Sequence, residues 1–422
     1  MAGENTVSSL DGLFKVVYAD KLLDLIPNFA LLQKLVEFSP ADKETGDFYA
    51  QPVVLAHEAG FTYNGDAGGT VALNAAAAGV MKEAQVKGSE LILRAQMSYA
   101  ALTRASQKGA KAFERLSRWK VEDMNNAFRK RLEIAMLYGQ KGIGTVETAT
   151  DLGGGLADVV ITEGTWAGGI WSGAEGAKLD AFTGTTKNNA SGVLTITAVD
   201  SDTRTLTVSY TGVLADEIDP ADVLYFQGSN AGAGSFNEMA GLQAIISNTG
   251  TLFGINASTY SLWAGNTVSS FGQISFSKLQ DAVAKAVNKG LMEDVDVFIS
   301  PKAWGVLNSD AAALRVFDSS YSVGKSENGS ESLVFHSQNG KLTIHAHPLV
   351  KDGDGFIVPL SRVMRIGSVD LTFGRPGVDG EEAVYFDRVP GYNVLELQAM
   401  ADQAVFVECP AECVFLTGIT YA

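Results

Sequence analysis

The chain has 422 residues, of which 46% are hydrophobic and 19% charged, and its net charge of −16 gives a pI near 4.7. This length and apolar content are enough for a large core in two or three domains of about 150 residues each, which excludes a disordered protein. The acidity argues against a general nucleic-acid binder that works by charge neutralisation, but it leaves room for weak contact between a local basic surface and packaged DNA.

The chain shows no export or membrane signal. Its amino terminus lacks the basic head and apolar run of a signal peptide, and no apolar run of about 18 residues, the length that crosses a bilayer, follows. We therefore expect a soluble protein that is intracellular when made and has no membrane partner. Cys409 and Cys413 are too few for a disulfide framework or a zinc site, so we expect buried free thiols.

The first 105 residues are expected to form an arm followed by an extended loop. Residues 1–50 contain short apolar-periodic segments that Pro27 and Pro40 interrupt, which predicts short helices or an arm that needs another surface. Beyond the turn region around Asn64-Gly65, strands are predicted at Val80–Val86 and Leu91–Tyr99. We interpret these two strands as a long hairpin that requires neighbours for stability.

Residues 106–140 predict one long amphipathic helix. Met124, Phe128, Leu132 and Ala135 recur at three- and four-residue steps, and no proline or glycine interrupts the stretch between Ala110 and Gly139. From 106 to 141 there are nine Lys or Arg against four Asp or Glu, so this region is basic in an acidic chain. At about 35 residues it would span roughly 50 Å. A long core helix or coiled-coil helix in an ordinary domain is the alternative.

Residues 142–235 predict an inserted acidic, β-rich domain. Twelve acidic residues face three basic ones there. A hairpin is expected from Val193–Val199 and Thr205–Tyr210, with a third strand at Val223–Phe226. Trp166 and Trp171 are expected in its core, with sugar binding as the alternative.

The remainder predicts an α+β unit and then strands. A helix begins after Ser275 and stops near Gly290, a buried strand covers Val295–Ile299, and Ser300-Pro301 opens another helix. The closing strands are predicted at Val394–Ala401, Ala404–Glu408 and Val414–Ile419.

No motif indicates an enzyme, a cofactor or a metal. His336, His345 and His347 could in principle meet a metal, but solvated strand histidines are commoner. The segment from Lys351 to Gly355 begins like a calcium loop and then lacks the later oxygen ligands, so a turn is predicted. Phosphate-binding, nucleophile-elbow and zinc-protease motifs are absent from the sequence. We expect no enzyme activity, no cofactor and no metal.

The order of these parts resembles the major capsid proteins of tailed bacteriophages, which have the Hong Kong 97 capsid fold. The stretches 241–250, 252–254 and 296–304 and the closing strands to Gly418-Ile419 are also similar to that family. The resemblance implies an α+β fold with the following parts: an N-terminal arm (1–50), an extended loop (51–105), the spine helix of the peripheral domain (106–141), an inserted acidic β-rich domain (142–235), a peripheral/axial α+β unit (236–309), an axial domain (310–384) and closing strands (385–422).

The resemblance also implies a function. The chain would assemble through pentamers and hexamers into the icosahedral head of a double-stranded-DNA bacteriophage, made in the host cytoplasm, with possible scaffolding, portal and decoration proteins. The candidate residues that face the packaged DNA inside the shell are Lys108, Lys111, Arg115 and Arg118. The alternatives are an encapsulin-like nanocompartment shell protein and a β-rich surface or adhesion protein.

Overall fold

Among the described residues, long runs of strands separate a few helices, so the fold is mixed α+β as predicted. The computed structural model describes residues 30–40, 48–65, 69–100, 116–189, 192–314, 333–337, 340–373 and 386–421. Two compact units are present: described residues 93–100, 116–128, 373 and 386–399 belong to the smaller, and the remaining described residues to the larger. Within the described residues, no helix combines the length and apolar character needed to cross a bilayer.

The α-helices whose bounds fall within the described residues are α1 Leu31–Leu35, α2 Leu116–Tyr138, α3 Gly168–Trp171, α4 Leu242–Ile246, α5 Phe276–Val287 and α6 Pro301–Leu314. The strands before residue 240 are β1 Phe38–Pro40, β2 Tyr49–Ala56, β3 Val80–Val86, β4 Ser89–Ser98, β5 Gly144–Gly153, β6 Leu156–Ile161, β7 Lys178–Thr183, β8 Thr186–Lys187, β9 Leu194–Asp200, β10 Thr205–Ser209, β11 Val223–Phe226, β12 Asn230–Gly232 and β13 Ser235–Phe236.

The later strands are β14 Thr251–Leu252, β15 Ile255–Asn256, β16 Asn266–Val268, β17 Gly272–Gln273, β18 Val295–Ile299, β19 Leu333–Ser337, β20 Gly340–Ala346, β21 Asp354–Val358, β22 Val363–Thr372, β23 Phe386–Arg388, β24 Val394–Val407, β25 Val414–Thr417 and β26 Ile419–Thr420.

The long helix is confirmed over residues 116–138. Its apolar stripe is buried at Met124, Phe128 and Leu132, as the three- and four-residue spacing predicts. The helix ends where Gly139 passes close to another segment: a Cβ at Gly139 would lie 2.2 Å from the carbonyl oxygen of Met239. The predicted first part of this helix, residues 106–115, lies outside the described residues.

A closed barrel is formed by β5, β6, β10, β9, β7 and β11. The ring closes because β11 pairs antiparallel with both β5 and β7. The predicted hairpin is confirmed as β9 and β10, which pair antiparallel. Trp166 and Trp171 are buried, with ring centroids 6.2 Å apart and nearly parallel planes, so they are core residues and do not form an exposed sugar platform.

A mixed six-stranded sheet has the order β16-β25-β21-β18-β20-β19. Its central strand β18 pairs parallel with β20 and antiparallel with β21. Both neighbouring helices begin as the sequence predicts: Ser275 Oγ accepts the N–H of Lys278 at α5, and Ser300 Oγ accepts the N–H of Ala303 at α6. The apolar face of α5 packs into the same core as β18 and β20.

The strands of the predicted 80–99 hairpin exist, but their predicted pairing is wrong. β3 pairs antiparallel with β2, in the register Tyr49↔Val86, and β4 pairs with β24. The error has a physical reason: Lys87-Gly88 is a short connection that favours a hairpin locally, whereas side-chain burial decides the partners. Ala84 and Val86 of β3 are buried in the larger unit's core.

The closing strands also differ from the prediction, since β24 is one continuous strand where two were expected. In the larger unit β24 pairs antiparallel with β22, and Gly367 marks a close approach between them. A Cβ at Gly367 would lie 2.0 Å from the carbonyl oxygen of Asp402. In the smaller unit β23 pairs with the first part of β24, where Gln96 Nε2 donates to Glu396 Oε2 at 2.8 Å.

Candidate interaction surface

A segment between β2 and β3, residues 57–79, is attached to the larger unit through a well-packed base. The N–H of Gln85 donates to the carbonyl oxygen of Phe253 at 2.9 Å. The ring of Tyr49 meets Phe406 edge-on at 6.4 Å, and Phe253 meets Phe406 at 5.8 Å. These contacts fix the two strands from which residues 57–79, hereafter the finger, extend.

The described part of the finger, 57–65 and 69–79, contains no helix or strand but has its own internal bonds. The N–H of Ala59 donates to Ala77 O at 3.1 Å, and Asn74 donates from its N–H to Thr62 Oγ1 and from Nδ2 to Phe61 O, both at 2.8 Å. The finger therefore has a defined conformation without support from a sheet.

Gly60 permits the two sides of the finger to approach closely. A Cβ at this position would lie 3.0 Å from Ala77 N and 3.1 Å from Ala75 O. Both of these are backbone atoms, which cannot rotate away as a side chain can. A larger residue at position 60 would therefore force the two sides apart.

The finger and its base expose large apolar side chains. Tyr63 is 90% exposed, Leu73 81% and Phe61 70%. On the base strands, Val54 and Met81 are directly opposite each other, and both are exposed. Exposed apolar groups concentrated in one segment indicate a surface for contact with another protein.

The segment 30–36 is held by a buried carboxylate of α2. Glu133 is fully buried, and it accepts the N–H of Leu32 on Oε1 at 2.5 Å and the N–H of Gln33 on Oε2 at 3.1 Å. His347 Nε2 lies 2.9 Å from Glu133 Oε1, and the N–H of Leu349 donates to His347 Nδ1 at 3.2 Å. Because Nδ1 accepts, the ring proton is on Nε2, and a neutral imidazole donates to Glu133.

The carbonyl end of α1 meets a cation. Arg365 is buried and donates from Nε to Val36 O at 3.0 Å and from Nη2 to Gln33 O at 3.4 Å, while its Nη1 donates to Asp370 Oδ1 at 2.7 Å. The anion at the N–H end and the cation at the carbonyl end match the partial charges of a helical turn. Glu133, His347 and Arg365, hereafter the socket, thus fix the start of the described chain.

A second buried charged group lies where α2 ends. Lys351 Nζ donates to Gly142 O at 3.0 Å and lies 4.0 Å from the centre of the Tyr138 ring. Burial lowers the pKa of Lys351 to about 8, against the opposing effect of Asp354. Burial likewise raises the pKa of Asp354 to about 6, opposed by Lys351 and by hydrogen bonds from Tyr138 and Thr417. Burial therefore disfavours the charged form of both side chains near neutral pH.

The barrel is joined to α2 through Arg131. Its guanidinium carbon lies 3.0 Å from the centre of the Phe226 ring on β11. Burial lowers the pKa of Arg131 to about 10, while the nearby Glu238 raises it. Glu238 Oε1 also accepts the N–H of Gln140 at 2.8 Å, so one carboxylate serves both the helix end and the buried cation.

The predicted DNA-facing residues are not brought together by any described contact. Lys108, Lys111 and Arg115 lie outside the described residues, and Arg118 lies in α2 with its side chain outside them as well. Of the three histidines, His345 and His347 have different partners: His345 Nε2 lies 2.7 Å from Asp296, whereas His347 faces Glu133. The side chain of His336 lies outside the described residues. Among the residues with described side chains, no group of three His, Cys, Asp or Glu could hold a metal ion.

The two cysteines are free thiols. Cys413 is buried, as predicted, and burial raises its pKa well above the ordinary value. Cys409 is only half-buried. The calcium-like segment is a turn that leads into β21, and Lys351 at its start is the buried cation described above.

Sequence reasoning missed the socket and the finger's anchors. Glu133 does carry a signal, since it stands between Leu132 and Ile134 on a helix, and both neighbours are buried. A charge at such a position requires a partner inside the protein. The partners themselves, which lie about 100 and 214 residues away, leave no trace in the local pattern.

No family model and no curated protein matches the sequence. Solved structures do match over nearly the whole chain. A chain of the capsid asymmetric unit of cyanophage A-1(L) is 8% identical with a TM-score of 0.62, and the match covers 99% of this chain and 100% of that one. A chain from the capsid of the native GTA particle is 10% identical with a TM-score of 0.52, at 99% and 100% coverage. The protein therefore shares its fold with capsid chains.

Proposed function

We propose that this chain is the major capsid protein of a tailed double-stranded-DNA bacteriophage, with a Hong Kong 97-type fold. The observation that carries the proposal is the match to the cyanophage capsid chain, because it covers 99% of this chain and 100% of that one. The exposed apolar finger gives independent support, since one subunit alone leaves it uncovered.

In this proposal the parts have the roles that the resemblance implied. Residues 1–50 are the N-terminal arm, 51–105 the extended loop, 106–141 the spine helix, 310–384 the axial domain and 385–422 closing strands. The barrel lies within residues 142–235 and is an insertion into the capsid fold. Residues 236–309 join the peripheral and axial domains. The finger is the tip of the extended loop.

Assembly proceeds through pentamers and hexamers into an icosahedral shell. The finger binds a neighbouring copy, with Tyr63, Phe61 and Leu73 as apolar anchors. One such contact is small, but each copy in a closed shell makes it, so the energy of many modest contacts accumulates. The socket supports assembly indirectly, because it sets where the arm leaves the subunit core.

The basic start of the long helix faces the packaged DNA in this proposal. Lys108, Lys111, Arg115 and Arg118 would offset part of the repulsion between DNA phosphates and an acidic shell, without reading sequence. The shell assembles in the bacterial cytoplasm and is part of the virion. Scaffolding, portal and decoration proteins are its candidate partners, and no enzyme activity is proposed.

Electron microscopy of the purified protein, alone and with the scaffolding protein if one is required, tests the proposal. Closed icosahedral particles with pentameric and hexameric clusters are the expected result. Only monomers in every condition would contradict it. The encapsulin-like alternative predicts a different result. Expressed particles would contain a protein cargo from the producing cell, and particles from the native source would lack DNA.

The position of the four basic residues can be read from the same reconstruction. Side chains of Lys108, Lys111, Arg115 and Arg118 on the inner surface are expected. Their location on the outer surface would refute the proposed contact with DNA and leave the shell proposal intact.

A further inference from the structure

The finger carries an Asn-Gly pair, Asn64-Gly65, beside its most exposed aromatic side chain, Tyr63. Both residues of the pair are exposed, and they lie outside any helix or strand. A Cβ added to Gly65 would meet no atom within 4 Å. Asn64 Nδ2 donates to Gly69 O across a long 3.4 Å contact.

We propose that Asn64 is a site of spontaneous modification, at which its side-chain amide is converted to a carboxylate through a cyclic imide. The backbone nitrogen of Gly65 attacks Cγ of Asn64, so an N–Cγ bond forms. The Cγ–Nδ2 bond breaks, and the amide nitrogen leaves as ammonia with the proton that Gly65 loses. Water then opens the five-membered ring at either carbonyl, and the product is aspartate or isoaspartate. The sum is one water consumed and one ammonia released, with no oxidant or reductant.

The local structure favours this reaction at Asn64 over the other asparagine of the finger. Ring closure requires the following residue to turn its backbone nitrogen towards Cγ, and glycine has the widest backbone freedom for that rotation. Asn74 is followed by Ala75, and its two hydrogen bonds of 2.8 Å to Thr62 and Phe61 hold both its N–H and its amide group.

A second Asn-Gly pair offers a contrast. Gly340, which follows Asn339, pairs with Ser337 in the β19–β20 ladder, and a Cβ at Gly340 would lie 2.4 Å from Asp294 Oδ1. The next N–H, that of Lys341, donates to Asp294 Oδ1 at 2.8 Å. Gly340 is therefore not free to rotate in the folded protein, whereas no atom of the described residues lies within 4 Å of a Cβ placed on Gly65.

The modification changes the surface on which assembly depends, a step that rests on the proposed function. A carboxylate beside Tyr63 adds a charge to an apolar contact, and isoaspartate also lengthens the backbone of the finger by one carbon. A subunit that waits unassembled therefore loses its competence to join a shell. A finger covered by a neighbouring copy is held still, so assembly slows the reaction.

Peptide mapping of the full-length unassembled protein, aged in mildly alkaline buffer and probed with an isoaspartate-specific methyltransferase, tests the chemistry. Isoaspartate is expected at position 64 at least about tenfold faster than at positions 74 and 339 of the folded protein. In the same chain unfolded in urea, position 339 should react about as fast as position 64. Gly65→Ala should slow the reaction at 64 without changing the fold. Absence of isoaspartate at 64 in the folded protein, when the unfolded chain forms it, would overturn the proposal.

The effect of the modification on assembly is measured in a separate experiment. Asn64→Asp should reduce the yield of particles, whereas Asn64→Gln, which forms the ring poorly, should keep the yield constant on ageing. Wild-type yield that stays constant while position 64 is fully modified would overturn the effect on assembly. If no variant forms particles, the proposed function fails, and the peptide map still decides whether Asn64 reacts.

Discussion

Replacing Glu133 by glutamine is the sharpest test of how residues 30–36 are attached. The carboxylate accepts three donors: the N–H groups of Leu32 and Gln33 and the imidazole of His347. Glutamine has nearly the same shape but only one acceptor oxygen. Its NH2 group must therefore face at least one of the three donors, whichever way the amide is turned.

The expected loss follows from these contacts. A hydrogen bond to a charged group contributes about 1.5–3 kcal/mol, and a buried donor left without an acceptor costs about 1–3 kcal/mol. The smaller desolvation cost of a neutral amide offsets part of this. We expect a net weakening of about 2–3 kcal/mol, confined to the attachment of residues 30–38, which converts to a roughly 30- to 150-fold increase in local opening.

Hydrogen exchange followed by mass spectrometry measures this opening directly. Peptides that cover residues 30–38 should exchange faster in Glu133→Gln by that factor, while peptides from β18 and β21 should be unchanged. Glu90→Gln, at an exposed glutamate of β4 in the larger unit, is the control and should alter exchange little. Equal acceleration in residues 30–38 and in β18 and β21 would show that Glu133 supports the whole fold, and no acceleration would refute the role of the socket.

Three further predictions concern assembly, pH and packing. Tyr63→Ala should reduce the yield of particles in a sedimentation assay. Met292→Ala removes a similarly exposed side chain outside the finger and should leave the yield unchanged. An equal loss of yield in both variants would exclude a specific role for the finger. Because burial raises the pKa of Asp354 to about 6 from an ordinary 3.8, protonation of this carboxyl stabilises the fold, and this contribution is fully present below pH 3.8 and lost as pH rises through 6. Asp354→Asn should therefore remove up to about 3 kcal/mol of difference between pH 4 and 7 in urea unfolding, and an unchanged difference would contradict the buried pair. Gly367→Ala should lower the free energy of unfolding by more than about 3 kcal/mol, because its Cβ would clash with β24. Gly305→Ala, in open space on helix α6, is the control and should raise it by up to about 1 kcal/mol. Similar melting temperatures for the two variants would refute the close approach at Gly367.

The periodic elements were predictable from sequence because their signals are local. The helix over 116–138, the capped helix after Ser275 and the strand 295–299 follow from residue spacing and cap residues within a few positions. The core positions of Trp166 and Trp171 likewise follow from their size and apolar character.

Strand partners were less predictable, because pairing depends on burial across long sequence separations. β3 and β4 follow each other with a two-residue connection, yet each pairs elsewhere. The choice is made by the core that receives Ala84 and Val86, which includes residues from distant parts of the chain. Closure of the barrel depends similarly on β11, whose two partners lie at 144–153 and 178–183.

The sequence by itself determined the main helices and several strands, the acidic and basic regions, and a resemblance to a capsid family that the shared fold now supports. Only the tertiary structure decided that Glu133 and Arg365 hold the ends of α1, that Lys351 and Asp354 share a buried site, and that the finger's aromatic side chains are uncovered. The reason is that exposure and charge pairing are properties of distant segments brought together by folding, and a local pattern contains no record of which segments those will be.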